Sequence, residues 1–232
     1  MNEKKQVIAI LGGSGDLGGG LAWRWARAGY EVIVGSRTQE KAELAAAELN
    51  RESFPKSVKA MSNEAAAEVG SVVVMTVPFS NHRGTLESVK EAVVGKIFID
   101  VTVPLVPPKV GTVQLPEGGS ACVMAQNFLG DEVKVVSAFQ NVAAAHLKDA
   151  AHDPDCDVLV CGNDKDACAE VVELVEAAGM KGWHAGPIAN SVVAEAMTSV
   201  LITLNRRYKI PGSGFSITGT PAASSVPGQA KA

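Results

Sequence analysis

The sequence is poor in the residues that most often mark a metal site or a disulfide scaffold: among 232 residues there are 4 Cys and 4 His. Cys122, Cys156, Cys161 and Cys168 form no CxxC pair and no zinc-ligand spacing. They read as reduced, partly buried small hydrophobes, and the expected location is the cytoplasm. His82, His146, His152 and His184 are scattered without an HxH or HxxxH pair, so each reads as a surface or loop residue and no metal is expected. Positive charge is also scarce: 21 Lys and Arg against 25 Asp and Glu leave a net charge of −4, which argues against a nucleic-acid-binding surface. Long apolar runs are missing. The best, 192–204, is interrupted by Glu195, Thr198 and Ser199 and is shorter than the roughly 20 residues of a membrane span. The apolar residues 7–11 run directly into Gly12-Gly13-Ser14-Gly15 and read as a first strand rather than a signal sequence. No GxSxG elbow, Walker lysine or paired carboxylates support hydrolysis or phosphoryl transfer.

What is present is a globular composition, 47% hydrophobic and 20% charged. Its length suits one large domain or one domain with a small partner. Apolar, β-branched segments at 6–11, 31–34, 58–61, 72–77, 96–101 and 133–139 alternate with helical patterns at 17–28, 39–51, 63–69 and 86–94. Such alternation predicts an α/β fold, a Rossmann-type doubly wound parallel sheet. A proline-dense loop region holds Pro104, Pro107, Pro108 and Pro116. A smaller C-terminal α/β unit follows, with strands at 157–161 and 181–185 and a helix at 165–178. A last helix carries Val193, Met197, Val200, Leu201, Leu204 and Tyr208 on one apolar stripe. The expected organisation is a dinucleotide-binding domain at 1–145, a smaller domain at 146–217 and a disordered Pro/Ala/Ser/Gly tail at 218–232.

The chemistry-bearing motif is Gly13-x-Gly15-x-x-Gly18, placed directly after the first strand and at the start of a helix. Gly13 permits the tight turn, Gly15 lets the backbone approach a pyrophosphate, and Gly18 permits close packing of helix on strand. The helix N-terminus then directs free N–H groups at the phosphates. The end of the second strand selects the dinucleotide. An NAD site places a carboxylate there for the ribose 2′-hydroxyl, whereas this chain has Ser36-Arg37, with Lys41 one turn into the next helix. A hydroxyl, a guanidinium fork and an ammonium suit a 2′-phosphate, so the expected cofactor is NADP(H). Thr76-Val77-Pro78 closes the fourth strand at the sheet edge where open α/β folds bind ligands.

With those residues the chain resembles the NADPH-dependent F420 reductases over about residues 7–215. The landmarks are 11–18 (LGGSGDLG), Val34-Gly35-Ser36-Arg37, Glu40-Lys41-Ala42, Thr76-Val77-Pro78, Val136-Ser137-Ala138, Val160-Cys161-Gly162 and 185–191 (AGPIANS). The resemblance implies hydride transfer between NADP(H) and the deazaflavin coenzyme F420, with no catalytic side chain, because the two rings carry the reaction. It implies that Ser14, Gly15, Asp16 and Leu17 wrap the pyrophosphate and that Ser36, Arg37 and Lys41 hold the 2′-phosphate. Val77 and Phe79 would sit near the nicotinamide, while Gln140, Val142 and Asn190 would border the deazaflavin in a cleft completed by the C-terminal unit. A homodimer is implied as well. The competing readings are an NADPH-dependent reductase of another flavin-like or ferric acceptor, and a non-enzymatic NADP(H)-binding redox sensor.

Overall fold

The computed structural model describes residues 6–149 and 154–219. His152 and the expected tail from residue 220 onward lie outside them. Eight strands form one sheet: β1 (Val7–Leu11), β2 (Glu31–Ser36), β3 (Lys59–Ser62), β4 (Val72–Met75), β5 (Ile97–Asp100), β6 (Lys134–Ser137), β7 (Asp157–Gly162) and β8 (Lys181–His184). Their order is β3-β2-β1-β4-β5-β6-β7-β8. The first six run parallel, in the doubly wound order. β7 joins β6 antiparallel, and β8 continues parallel to β7. The strands of the C-terminal unit thus extend the same sheet.

The helices are α1 (Asp16–Arg27), α2 (Gln39–Leu49), α3 (Asn63–Val69), α4 (Phe79–Val89), α5 (Ala121–Leu129), α6 (Lys165–Ala177) and α7 (Ser191–Tyr208). β1, β4 and β5 are apolar almost throughout because helices cover both faces. One core lies under α1, α2 and α6, around Leu21, Trp25, Phe139, Val171 and Leu174. The other lies under α3, α4 and α5, around Ala66, Leu86, Phe98 and Ala125. Two elements differ from the sequence reading. α4 starts at Phe79, directly after Pro78, not near residue 86; Gly84 weakens the helical pattern, but no atom crowds it. α5 was expected to be loop. Ser120 initiates it by accepting a hydrogen bond from Val123 N at 3.0 Å.

α1 anchors the C-terminal unit. Trp25 donates its indole N–H to Leu174 O at 2.8 Å and packs edge-on against Phe139, with centroids 5.7 Å apart. The Arg24 guanidinium donates to Leu147 O at 2.7 Å and to His146 O and Asp149 O. Gly20 makes room for this segment, since a Cβ there would lie 2.6 Å from Leu147 Cβ.

α7 is longer than the apolar run suggests. With the turn before it, 188–208 is a 21-residue stretch long and apolar enough to cross a membrane by length and composition. One face, with Ser191, Ala194, Glu195, Ser199 and Leu201, is nonetheless buried against the protein. Glu195 crosses to the start of α5 and accepts from Ala121 N at 2.7 Å and Cys122 N at 3.1 Å. Burial pushes its carboxyl from an ordinary 4.5 up to about 7, against those two hydrogen bonds, which favour the charged form.

Between pH 4.5 and 7, therefore, the folded chain keeps a proton on Glu195 that the unfolded chain has lost, and stability falls as pH rises through that window. The loss expected from this group is on the order of 3 kcal/mol. Urea unfolding at pH 5 and pH 8 measures it, and Glu195→Gln flattens the dependence. An identical pH dependence in the two proteins would show that Glu195 ionises normally.

Candidate functional site

The switch point of the sheet lies between β1 and β4, where successive connections pass to opposite sides. β1 ends in a turn in which Gly13 N donates to Gly35 O at 2.9 Å and Gly15 N to Gly12 O at 3.0 Å. Gly12 takes φ +76°, a left-handed conformation that strains other residues. Gly15 is the N-cap of α1 with no side-chain partner, so the first N–H groups of the helix stay free for an anion. The approach of helix to sheet is close at Gly18. A Cβ there would stand 2.5 Å from Thr76 Oγ1 and 2.8 Å from Gly13 Cα. Thr76 Oγ1 in turn donates to Leu11 O at 2.8 Å, and Asn63 Oδ1 accepts from Gly12 N at 3.2 Å.

A cleft of about 480 Å³ opens over this turn, within the range of small-molecule sites. Ser14, Gly15, Asp16 and Leu17 form its floor, and Ser36, Arg37 and Lys41 one end. Ser36 is buried, with its hydroxyl 3.3 Å from that of Ser14. Arg37 and Lys41 are exposed, and among the described residues neither has a carboxylate partner. The other end is bounded by Thr76, Val77, Pro78 and Phe79 on one side and by Val101, Thr102, Val103 and Leu105 on the other. Gly13 and Gly18 lie behind the floor, both buried. The cleft therefore offers N–H groups, then hydroxyls and cations at one end, and an apolar slot at the other.

Three expected residues are not brought here; every lining residue lies between Gly12 and Leu105. Gln140 points inward, 5% exposed, and donates Nε2 to Asp100 O at 2.8 Å. The chain turns in this direction at Phe139, whose left-handed φ of 69° is held by its burial against Trp25. Val142 packs on the core beside a separate cavity of about 130 Å³ with Thr198 and Ile202. Asn190 is exposed and donates to Ala185 O at 2.7 Å. Residues the sequence reading missed are Asn63, Asn81, Thr85 and the segment after β5. That segment had a signal: it follows the carboxyl end of a strand next to the switch point, as Thr76-Val77-Pro78 does.

The histidine reading also changes. His184 is exposed, and His146 lies in a short turn. His82, expected at the surface, is 2% exposed and paired to Asp100 at 2.8 Å. No group of three His, Cys, Asp or Glu side chains positioned for a metal occurs among the described residues.

Residues 7–104 match the family model for coenzyme F420-dependent NADP oxidoreductases. The F420-dependent NADP reductase of Methanocaldococcus jannaschii is 41% identical over 219 residues, covering 91% of this chain and 97% of that protein. The F420-dependent NADP reductase of Methanothermobacter marburgensis is 41% identical over 222 residues, with 92% and 99% covered. The crystal structure of a proposed F420-dependent NADP-reductase from Arthrobacter sp. FB24 superposes with a TM-score of 0.75 at 26% identity, covering 92% of this chain and 99% of that one.

Proposed function

This chain belongs to the F420-dependent NADP reductase family, and on that premise we propose that it transfers hydride between NADP(H) and coenzyme F420. One observation carries the choice of NADP: β2 ends in a buried serine, followed by an arginine that has no carboxylate partner among the described residues, beside a glycine turn crowded enough to refuse a Cβ. The residues fit the dinucleotide. The free N–H groups at the start of α1 would hold the pyrophosphate, and Ser36, Arg37 and Lys41 the 2′-phosphate. Val77 and Phe79, with the segment after β5, would enclose the nicotinamide in a slot that keeps water away. When both are bound, nicotinamide C4 and deazaflavin C5 supply the redox chemistry. The chain's task is to bind and to orient. The unit beyond residue 145 contributes from behind the cleft, through Ser191 and Glu195 of α7, which bond to the start of α5.

We further propose a cytoplasmic homodimer. Val193, Val200 and Tyr208 recur every seven or eight residues along α7 and are 54%, 43% and 64% exposed. That is one apolar line some 22 Å long, and a second copy of the chain is its expected cover. Sedimentation should give a dimer for the parent chain and a monomer for Val200→Lys; a parent monomer overturns the reading.

Two measurements address the hydride reaction. Arg37→Ala is expected to weaken NADPH binding by roughly 10- to 150-fold, the worth of a hydrogen bond to a charged group, while NADH binding stays nearly unchanged. Equal losses would show that Arg37 does not read the 2′-phosphate. With NADPH deuterated at the transferred C4 position and oxidised F420, the label is expected on the deazaflavin and not in water. Label in water, or no bleaching of the F420 band, overturns direct hydride transfer.

A further inference from the structure

Behind the apolar end of the cleft lies a buried hydrogen-bonded pair that is not itself exposed to it. His82 and Asp100 are 2% and 0% exposed, with Nε2 donating to Asp100 Oδ2 at 2.8 Å. Neither residue lines the cleft. Both hold residues that do. His82 lies three positions after Phe79 on α4, on the same helix face, and the two rings stand 5.9 Å apart at 37°. Asp100 ends β5, and its second oxygen, Oδ1, accepts from Thr102 N at 2.9 Å. That bond folds the chain so that Val101, Thr102 and Val103 face the slot. Asp100 O is fixed from the other side by Gln140 Nε2 at 2.8 Å and approached by Cys122 Sγ at 3.5 Å.

We propose that the His82–Asp100 pair is the positioning device of the cleft, a strut that sets the separation between the wall after β4 and the wall after β5. The inference rests on the proposed function, which puts the nicotinamide between those walls. Stability alone does not call for such a pair, because replacing both partners of a buried hydrogen bond by apolar groups of the same shape is often neutral or stabilising. Spacing does call for it. The contact has one short length and fixed directions, and it joins the two segments that bracket the reacting ring. His82 is thus a positioning residue: it acts through Phe79 and Asp100 and not on the substrate.

The test compares His82→Leu, His82→Asn and His82→Gln in the full chain by NADPH affinity, single-turnover hydride transfer to F420 and thermal melting. Leucine cannot donate, and the asparagine amide is too short to reach Asp100. The glutamine amide reaches about as far as Nε2. Leucine and asparagine are expected to slow hydride transfer by about 10- to 100-fold, the scale of a displacement near 1 Å at a reacting centre. NADPH affinity should stay within about threefold, because the phosphate contacts are remote. Glutamine should restore most of the rate. A role in stability alone moves the melting temperature and leaves the rates equal. The inference falls if folded His82→Asn transfers hydride at the parent rate, if glutamine does no better than asparagine, or if NADPH affinity drops as far as the rate. It falls too if neither polar variant folds, since the pair then holds the core and not the walls. A parent chain that reduces no F420 refutes the proposed function, and the inference with it; a parent that turns over beside an unaffected asparagine variant refutes the inference alone.

Discussion

The cleft depends on one close approach, that of Gly18 to Thr76 and Gly13. A single added carbon at Gly18 would meet the threonine hydroxyl at 2.5 Å and the Gly13 backbone at 2.8 Å. Backbone cannot yield as a flexible side chain can, so the absence of that carbon is what lets α1 lie against β1 and β4 at their carboxyl ends. The consequences follow in order. The helix N-terminus reaches the switch point, its unpaired N–H groups face one small volume, and the end of β2 falls within reach of the same ligand. Thr76 contributes twice, since its hydroxyl also closes on Leu11 O and pins β4 to the end of β1.

Much of this was legible because it is local. A glycine pattern after a β-branched run states a strand, a turn and a helix within a dozen residues, and α3 was read at the bounds it takes, 63–69. The end of β2 was legible for another reason: charge chemistry at a fixed distance from the glycines is readable without coordinates. What escaped the sequence depends on contacts distant in the chain. α5 hides behind a run of Gly, Ser and Pro, and its start is completed by Glu195, 74 positions later. His82 looks unremarkable in sequence, because its partner Asp100 belongs to the next strand.

Gln140 stands where the resemblance sets an acceptor-facing group, and its amide is turned into the protein. Its position after β6 is where an acceptor-facing group was expected. The chain makes a left-handed turn at Phe139 just before it, and the amide goes to the Asp100 carbonyl. The turn is held by packing: Phe139 is fully buried and meets Trp25 edge-on. A residue with φ above zero and a large side chain keeps that conformation only where its surroundings compensate the strain. No local pattern announces it.

The polar residues behind the cleft have a common cause. β5 ends and α5 begins inside the protein, at the fully buried Asp100 and Ala121, and α7 packs against the start of α5. Water cannot then satisfy the exposed backbone groups, and each one left unmet would be costly. Side chains take its place. Glu195 and Ser120 accept from the first three N–H groups of α5, while Gln140 donates to the carbonyl that ends β5. Each of these bonds has a direction as well as an energy, so the seal that excludes water also fixes where β5 stops and how the next three residues leave it. Those residues form a wall of the slot. The C-terminal unit thus reaches this wall through its bonds to the start of α5 and through the bond of Gln140, just before it, to the end of β5, and this polar seam holds the wall in place.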